Sequence, residues 1–237
     1  MFKKVLFAAM LAATAMTAGA QAKVFNHLGF DLGVGTTGIS IEAATPITDY
    51  VTMRAGVSIM PGIKFSTDVD ATYTFNGVSH TSTVNLDGDL GRTQGQVILN
   101  VYPAPKVPFY VAVGAYFGGE HLVKIKGHCP ELEGYANTGV VIGGQVIPVD
   151  ADGNVNGGIK VNAFRPYVGI GWGRAIPKKR VNFNIDLGVQ IHGKPKLYTD
   201  NGIITTALED DDNTFHKIMD KVTVYPTLTF RLGFRAF

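Results

Sequence analysis

The sequence predicts an all-β protein, an eight-stranded antiparallel transmembrane β-barrel, on three observations. Apolar and polar residues alternate with a period of two along eight separate runs. The connections between the runs are tight at one end and mostly long at the other. The face opposite the apolar one is rich in glycine and in charges of both signs, unlike a solvent-facing sheet, where glycine weakens a strand unless something packs on it.

The first run, Val24–Gly35, sets Leu28, Phe30, Leu32 and Val34 on one face and His27, Gly29, Asp31 and Gly33 on the other. A short "GTTG" leads to the second, Gly38–Ile47, and "TPITDY" to the third, Tyr50–Met60, whose polar face carries Thr52, Arg54, Gly56 and Ser58. The fourth, Gly91–Tyr102, is joined by "PAPKVP" to the fifth, Phe109–Glu120, with Phe109, Val111, Val113, Ala115 and Phe117 in phase. In the sixth, Ala163–Ile176, Tyr167, Gly169, Gly171 and Gly173 share the polar face. "PKKR" then turns into the seventh, Val181–His192, where "VNFNIDLGVQIH" alternates without an error. The eighth, Val222–Ala236, lines up Val222, Val224, Leu228, Phe230, Leu232 and Phe234.

Most of these runs are close to the roughly 9–11 residues with which a tilted strand crosses a bilayer. Long polar insertions separate runs three and four, five and six, and seven and eight, which assigns the short turns to the periplasm and the long loops to the outside. Alternation alone does not say which face is inside. The glycines and balanced charges of the polar face turn the apolar face outward. Phe25, Tyr50, Phe109 and Trp172 near run ends fit aromatic girdles, where Arg174 would snorkel.

Residues 1–22, "MFKKVLFAAMLAATAMTAGAQA", have the basic start, short apolar stretch and Ala-x-Ala ending of a signal peptide, leaving one barrel domain at 23–237. Lys3 and Lys4 leave with that segment, so of 21 Lys and Arg the remainder balances the 19 Asp and Glu. No nucleic-acid partner is indicated. Cys129 is the sole cysteine, which excludes an intrachain disulfide framework and reads as a loop bystander. No segment reaches the length of a membrane helix.

An eight-stranded barrel has a lumen that side chains fill. Its inward positions carry Asp31, Glu42, Glu120 and Asp186 with Arg54, Arg92, Arg165, Arg231 and Arg235, the candidate lumen charge network. A first turn centred between Thr36 and Thr37 sets Asp31 opposite Glu42, and a second centred on Thr48 sets Arg54 opposite Glu42. Arg231 lies on the strand that must close against the first run. Buried charges persist when paired and hydrogen-bonded, so Asp31, Glu42, Arg54 and Arg231 are expected to form a plug.

A cleaved signal, eight such runs, short turns, long outer loops and the tail "TFRLGFRAF" resemble the small outer-membrane barrels of the OmpA and OmpX type, in the form common among Bacteroidetes. Phe237 departs from the pattern, being out of phase with Phe234, Leu232 and Phe230. The resemblance implies a monomer without cofactor, partnered by outer-membrane lipid, lipopolysaccharide and the barrel-assembly machinery. It implies a non-enzymatic role, in envelope structure or in adhesion through the loops. Transport of a small solute, as in OmpW-like barrels, is the alternative.

The remaining motifs are weaker. His80-Thr81-Ser82 has the His-x-Ser spacing of lipid A deacylases, yet follows "FNGVS", whose Asn76-Gly77 reads as a hairpin turn. "DADGN", Asp150 to Asn154, offers calcium-like oxygens but reads better as a hairpin turn. Glu209 to Asp212 reads as a solvated loop tip, with divalent-ion bridging to lipopolysaccharide as the other reading. His121 is expected at the lipid interface, and His128, His192 and His216 share no metal spacing.

Overall fold

The computed structural model describes residues 27–236 apart from 76–77, 134–138, 143–144, 179, 200–201 and 204–221. The expected signal peptide, Phe25, the Asn76-Gly77 turn, the acidic run at 209–212, His216 and Phe237 lie outside the described residues.

The strands are β1 (Gly29–Gly35), β2 (Gly38–Pro46), β3 (Val51–Met60), β4 (Lys64–Phe75), β5 (Val78–Asp89), β6 (Arg92–Val101), β7 (Phe109–Phe117) and β8 (His121–His128). They continue as β9 (Gly139–Ile142), β10 (Gln145–Pro148), β11 (Asn154–Lys160), β12 (Phe164–Trp172), β13 (Val181–Ile191), β14 (Lys196–Thr199), β15 (Gly202–Ile203) and β16 (Val224–Arg235). Eight of them close a barrel in the order β1-β16-β13-β12-β7-β6-β3-β2, every pair antiparallel. Each of the eight predicted runs supplies one barrel strand. Closure is made by β1 on β16, with Leu32 opposite Leu232.

The apolar face points outward on every barrel strand. Leu32 is 50% exposed, Ile41 53% and Trp172 56%, while Asp31, Ser40, Glu42, Arg54, Asn184 and Arg231 are buried on the other side. A water-soluble barrel hides its apolar face; this one presents it all round, as only a hydrocarbon solvent makes favourable.

The long insertions are not structureless. They build a second sheet in the order β10-β9-β4-β5-β8-β11-β14-β15. Its central order repeats that of the barrel strands beneath, since β4 and β5 continue β3 and β6, β8 and β11 continue β7 and β12, and β14 follows β13. Backbone bonds bridge the two levels: Leu90 N–H to Ile63 O at 3.2 Å, Val161 N–H to Glu120 O at 2.8 Å and Asn162 N–H to His192 O at 3.1 Å. The wall is therefore raised on the side of β3 through β13 and stays low at the two-residue turn between β1 and β2. Polarity concealed these strands from a period-two search. On β4, Lys64 to Asp68 are exposed regardless of phase, so no apolar face emerges to set the alternation.

Candidate functional site

The lumen is built from residues of alternate phase. Asp31 stands opposite Glu42 across the first hairpin, in the register that turn demands. The second turn centres one residue later than expected: Pro46 faces Thr52, so Glu42 faces Gly56 and Arg54 faces Ala44. Arg54 thus reaches Glu42 diagonally, donating Nη1 to Oε2 at 2.8 Å. The long guanidinium stem absorbs the slip, because a shift of two residues keeps the side chain on the same face. Arg231 is likewise diagonal to Asp31, whose direct partner is Gly233; Arg231 Nη1 lies 3.6 Å from Asp31 Oδ2.

Asp186 joins the two arginines. Its Oδ1 accepts from Arg54 Nη2 at 3.2 Å and from the Tyr110 hydroxyl at 2.6 Å, and its Oδ2 accepts from Arg231 Nε at 2.7 Å. Arg231 Nη2 also donates to the Tyr110 oxygen at 2.8 Å, and Arg54 Nε to Asn100 Oδ1 at 3.1 Å. Three carboxylates and two guanidiniums therefore meet in one cluster of hydrogen bonds and ion pairs, Asp31 joined by the longer ion pair to Arg231, all of them buried. The free space beside them is about 10 Å³, room for a single water.

The other predicted members lie elsewhere. Arg165 is bonded to neutral oxygens near the long-loop end, and the Arg92 guanidinium stacks 5.0 Å from the centre of the Tyr225 ring. Glu120 is not in the lumen. Gly118 and Gly119 take positive φ values of 73° and 59°, ending β7 at Phe117, and Glu120 sits beyond that break, 3.7 Å from Lys160. Arg235 meets His27 at the opposite end, Nη2 to Nδ1 at 3.0 Å.

Of the lumen tyrosines, sequence reasoning placed Tyr167 on the inward face and missed Tyr102, Tyr110 and Tyr116. Tyr102, Tyr110, Tyr116 and Tyr167 are buried with Ile98 and Ala112 in the lumen, Tyr102 edge-on to Tyr110 at 5.3 Å and Tyr116 edge-on to Tyr167 at 5.5 Å. Their signal was present, since Tyr110 and Tyr116 occupy the inward phase of the fifth run. They also explain the inward glycines: a Cβ at Gly171 would lie 2.3 Å from the Tyr110 ring, and one at Gly188 2.6 Å from that of Tyr167.

Several expectations need correction. Arg174 does not snorkel into lipid; it folds onto the short turns, bonding Pro105 O and lying 5.1 Å over the Tyr102 ring. His121 opens β8 in the second sheet, against Tyr198 at 4.8 Å, because the strand break at Gly118 carries it past the barrel. Asp150 to Asn154 form a closed turn, but β10 and β11 on either side of it are not paired with each other, so it is no hairpin. The Asp150 carboxylate is taken by its own backbone, accepting from Asn154 N–H at 2.7 Å and Asp152 N–H at 3.0 Å. His80 and Ser82 stand on β5, opposite Tyr73 and Ala71, in the second sheet rather than on the barrel wall. Cys129 is buried at the start of a short 3-10 turn, Pro130–Leu132. Among the described residues no three metal-ligating side chains converge.

A closed eight-stranded barrel, apolar outside and charged within, defines the class: the chain is a transmembrane β-barrel of the outer-membrane type. No protein-family profile matches the chain and no curated protein matches it. Among solved structures it is similar to CarO of Acinetobacter baumannii, at 23% identity and a TM-score of 0.49, over 87% of this chain and 96% of that one. It is also similar to Acinetobacter baumannii CarO2, at 19% identity and a TM-score of 0.49, over 90% of this chain and 100% of that one.

Proposed function

We propose that this protein is a plugged, non-enzymatic anchor in the outer membrane that holds its raised sheet outside the cell as a binding surface. The observation that carries this reading is the lumen: the cluster of Asp31, Glu42, Arg54, Asp186 and Arg231 leaves about 10 Å³ beside it, too little for a solute to pass. What the barrel invests its length in instead is the second sheet, whose outermost strands among the described residues, β10 and β15, offer edges for strand addition. The small-barrel type of the Bacteroidetes, a monomeric state, and contacts with lipopolysaccharide and the assembly machinery belong to the same reading, supported by the run pattern.

Planar-bilayer conductance and liposome swelling with the purified protein test it. No current and no swelling above protein-free bilayers is the expected result. Steady conductance of the unmodified protein would replace the anchor with the transport alternative. The lipid A reading has less support, because His80 and Ser82 are on the second sheet; unchanged lipid A mass spectra from a deletion strain are expected.

A further inference from the structure

The long-loop end of the lumen holds a second polar cluster with the opposite chemistry to the first. Arg165 is 2% exposed and donates Nε to Gln190 Oε1 at 3.0 Å, Nη2 to Gln94 Oε1 at 2.7 Å and to Gly118 O at 2.6 Å, and Nη1 to Asn162 O at 3.0 Å. All four acceptors are neutral. Arg92 lies two residues from Gln94 on β6, and its guanidinium is over Tyr225, which pairs with Gln190. The two arginines therefore flank the same two glutamines. Among the described residues neither arginine has a carboxylate within the 4.0 Å of an ion pair.

The orphaned atoms point the same way. Gln94 and Gln190 both turn their oxygens to Arg165, which commits their amide nitrogens to the other side, and both nitrogens are buried without an acceptor. Arg92 Nε is the third buried donor without a partner. Each is an N–H group, whereas the orphans of the central cluster include the carboxylate oxygen of Asp31. Unmatched buried donors beside two arginines that no carboxylate ion-pairs, Glu120 acting on Arg165 only at longer range, are costly unless an acceptor of negative charge completes them.

We propose that Arg92, Gln94, Arg165 and Gln190 form a binding site at the extracellular mouth for a small monovalent anion, chloride or the carboxylate of a small solute. The arginines supply the charge and the two amides and Arg92 Nε supply directed donors. The site stands above the plug, so occupancy does not require passage through the barrel and does not depend on a partner for the second sheet.

The test is chlorine NMR linewidth of chloride over the full-length barrel folded in zwitterionic detergent, with acetate as competitor. Saturable broadening beyond detergent alone is expected, weakened about tenfold or more in Arg92→Gln and in Arg165→Gln. Displacement by acetate at lower concentration than chloride itself identifies a solute carboxylate as the source, and weak displacement identifies the inorganic ion. Arg92 gives up no hydrogen bond on substitution, so its variant decides the matter even if Arg165→Gln does not fold, with the shift in gel mobility on boiling as the check of folding. No excess broadening in the unmodified protein, or equal broadening in folded Arg92→Gln, would overturn the proposal.

Discussion

Arg54 and Arg231 approach from β3 and β16 and are held together by one carboxylate, Asp186, which accepts from Arg54 at Oδ1, 3.2 Å, and from Arg231 at Oδ2, 2.7 Å. Two like charges share a packed lumen because three carboxylates surround them. Removing either arginine leaves three buried carboxylates against one guanidinium.

Arg54→Met is accordingly expected to destabilise the barrel by about 3–5 kcal/mol, since it removes the guanidinium hydrogen-bonded to buried Glu42 and one of the two that hold Asp186. Combining it with Glu42→Gln should recover part of that loss, because the stranded charge is removed with its partner. Urea unfolding in lipid vesicles, followed by mobility on unboiled gels, measures both; an Arg54→Met barrel as stable as the parent would refute a stabilising plug.

Gly171→Ala places a methyl group within 2.3 Å of the Tyr110 ring, and the expected penalty is about 1–3 kcal/mol. Tyr110→Leu in the same chain should relieve the clash but lose the hydroxyl that bonds Asp186 at 2.6 Å. The pair of substitutions should thus be non-additive in the unfolding midpoint. Simple additivity would mean that Tyr110 does not fill the space over Gly171.

Orientation is tested from outside the barrel. Trp172, the sole tryptophan, is 56% exposed at the short-turn end, so bromine-labelled lipid should quench its emission strongly in vesicles. Emission untouched by the lipid label would turn the strand face around. Val113→Arg, midway along β7, should cost about 2–4 kcal/mol, against roughly 0–1 for Ile63→Arg at the rim between β3 and β4.

The Asp150 turn carries a pH dependence. Bonds from the Asn154 and Asp152 backbone hold its carboxyl below the usual aspartate range. A pKa depressed by folding stabilises the turn at neutral pH, and that contribution disappears as the pH falls through the lowered value. Protection factors at Asp152 and Asn154, the exchange rates taken relative to their intrinsic values at each pH, should therefore fall selectively on acidification, and Asp150→Ala should show the low protection at every pH.

The barrel was legible because a bilayer demands a strict alternation. Phe30, Leu32 and Val34 announce a lipid face, and the tight turns place each strand beside the next. The second sheet was not legible. On β5, polar residues such as His80, Thr83 and Asn85 occupy both phases, and a buried side is marked among the described residues by Val84, Leu86 and Gly88 in its second half. The charge cluster was half legible: the acids and bases were assigned to the inside by phase, but their partners depended on register, where the turn at Asp49 displaced Arg54 by two positions.

What the sequence determined by itself is the solvent on each side of the wall, because period-two polarity separates two faces without knowledge of neighbours and the glycines and balanced charges of the polar face mark it as the inside. Asp31 opposite Glu42 followed from a two-residue turn in the same local way. Only the closed structure decided that Asp186, on β13, stands between Arg54 and Arg231, and that Tyr110 completes the group. Those contacts cross the lumen between strands remote in the chain, and side-chain reach across a barrel is set by closure and strand offset, which alternation does not encode.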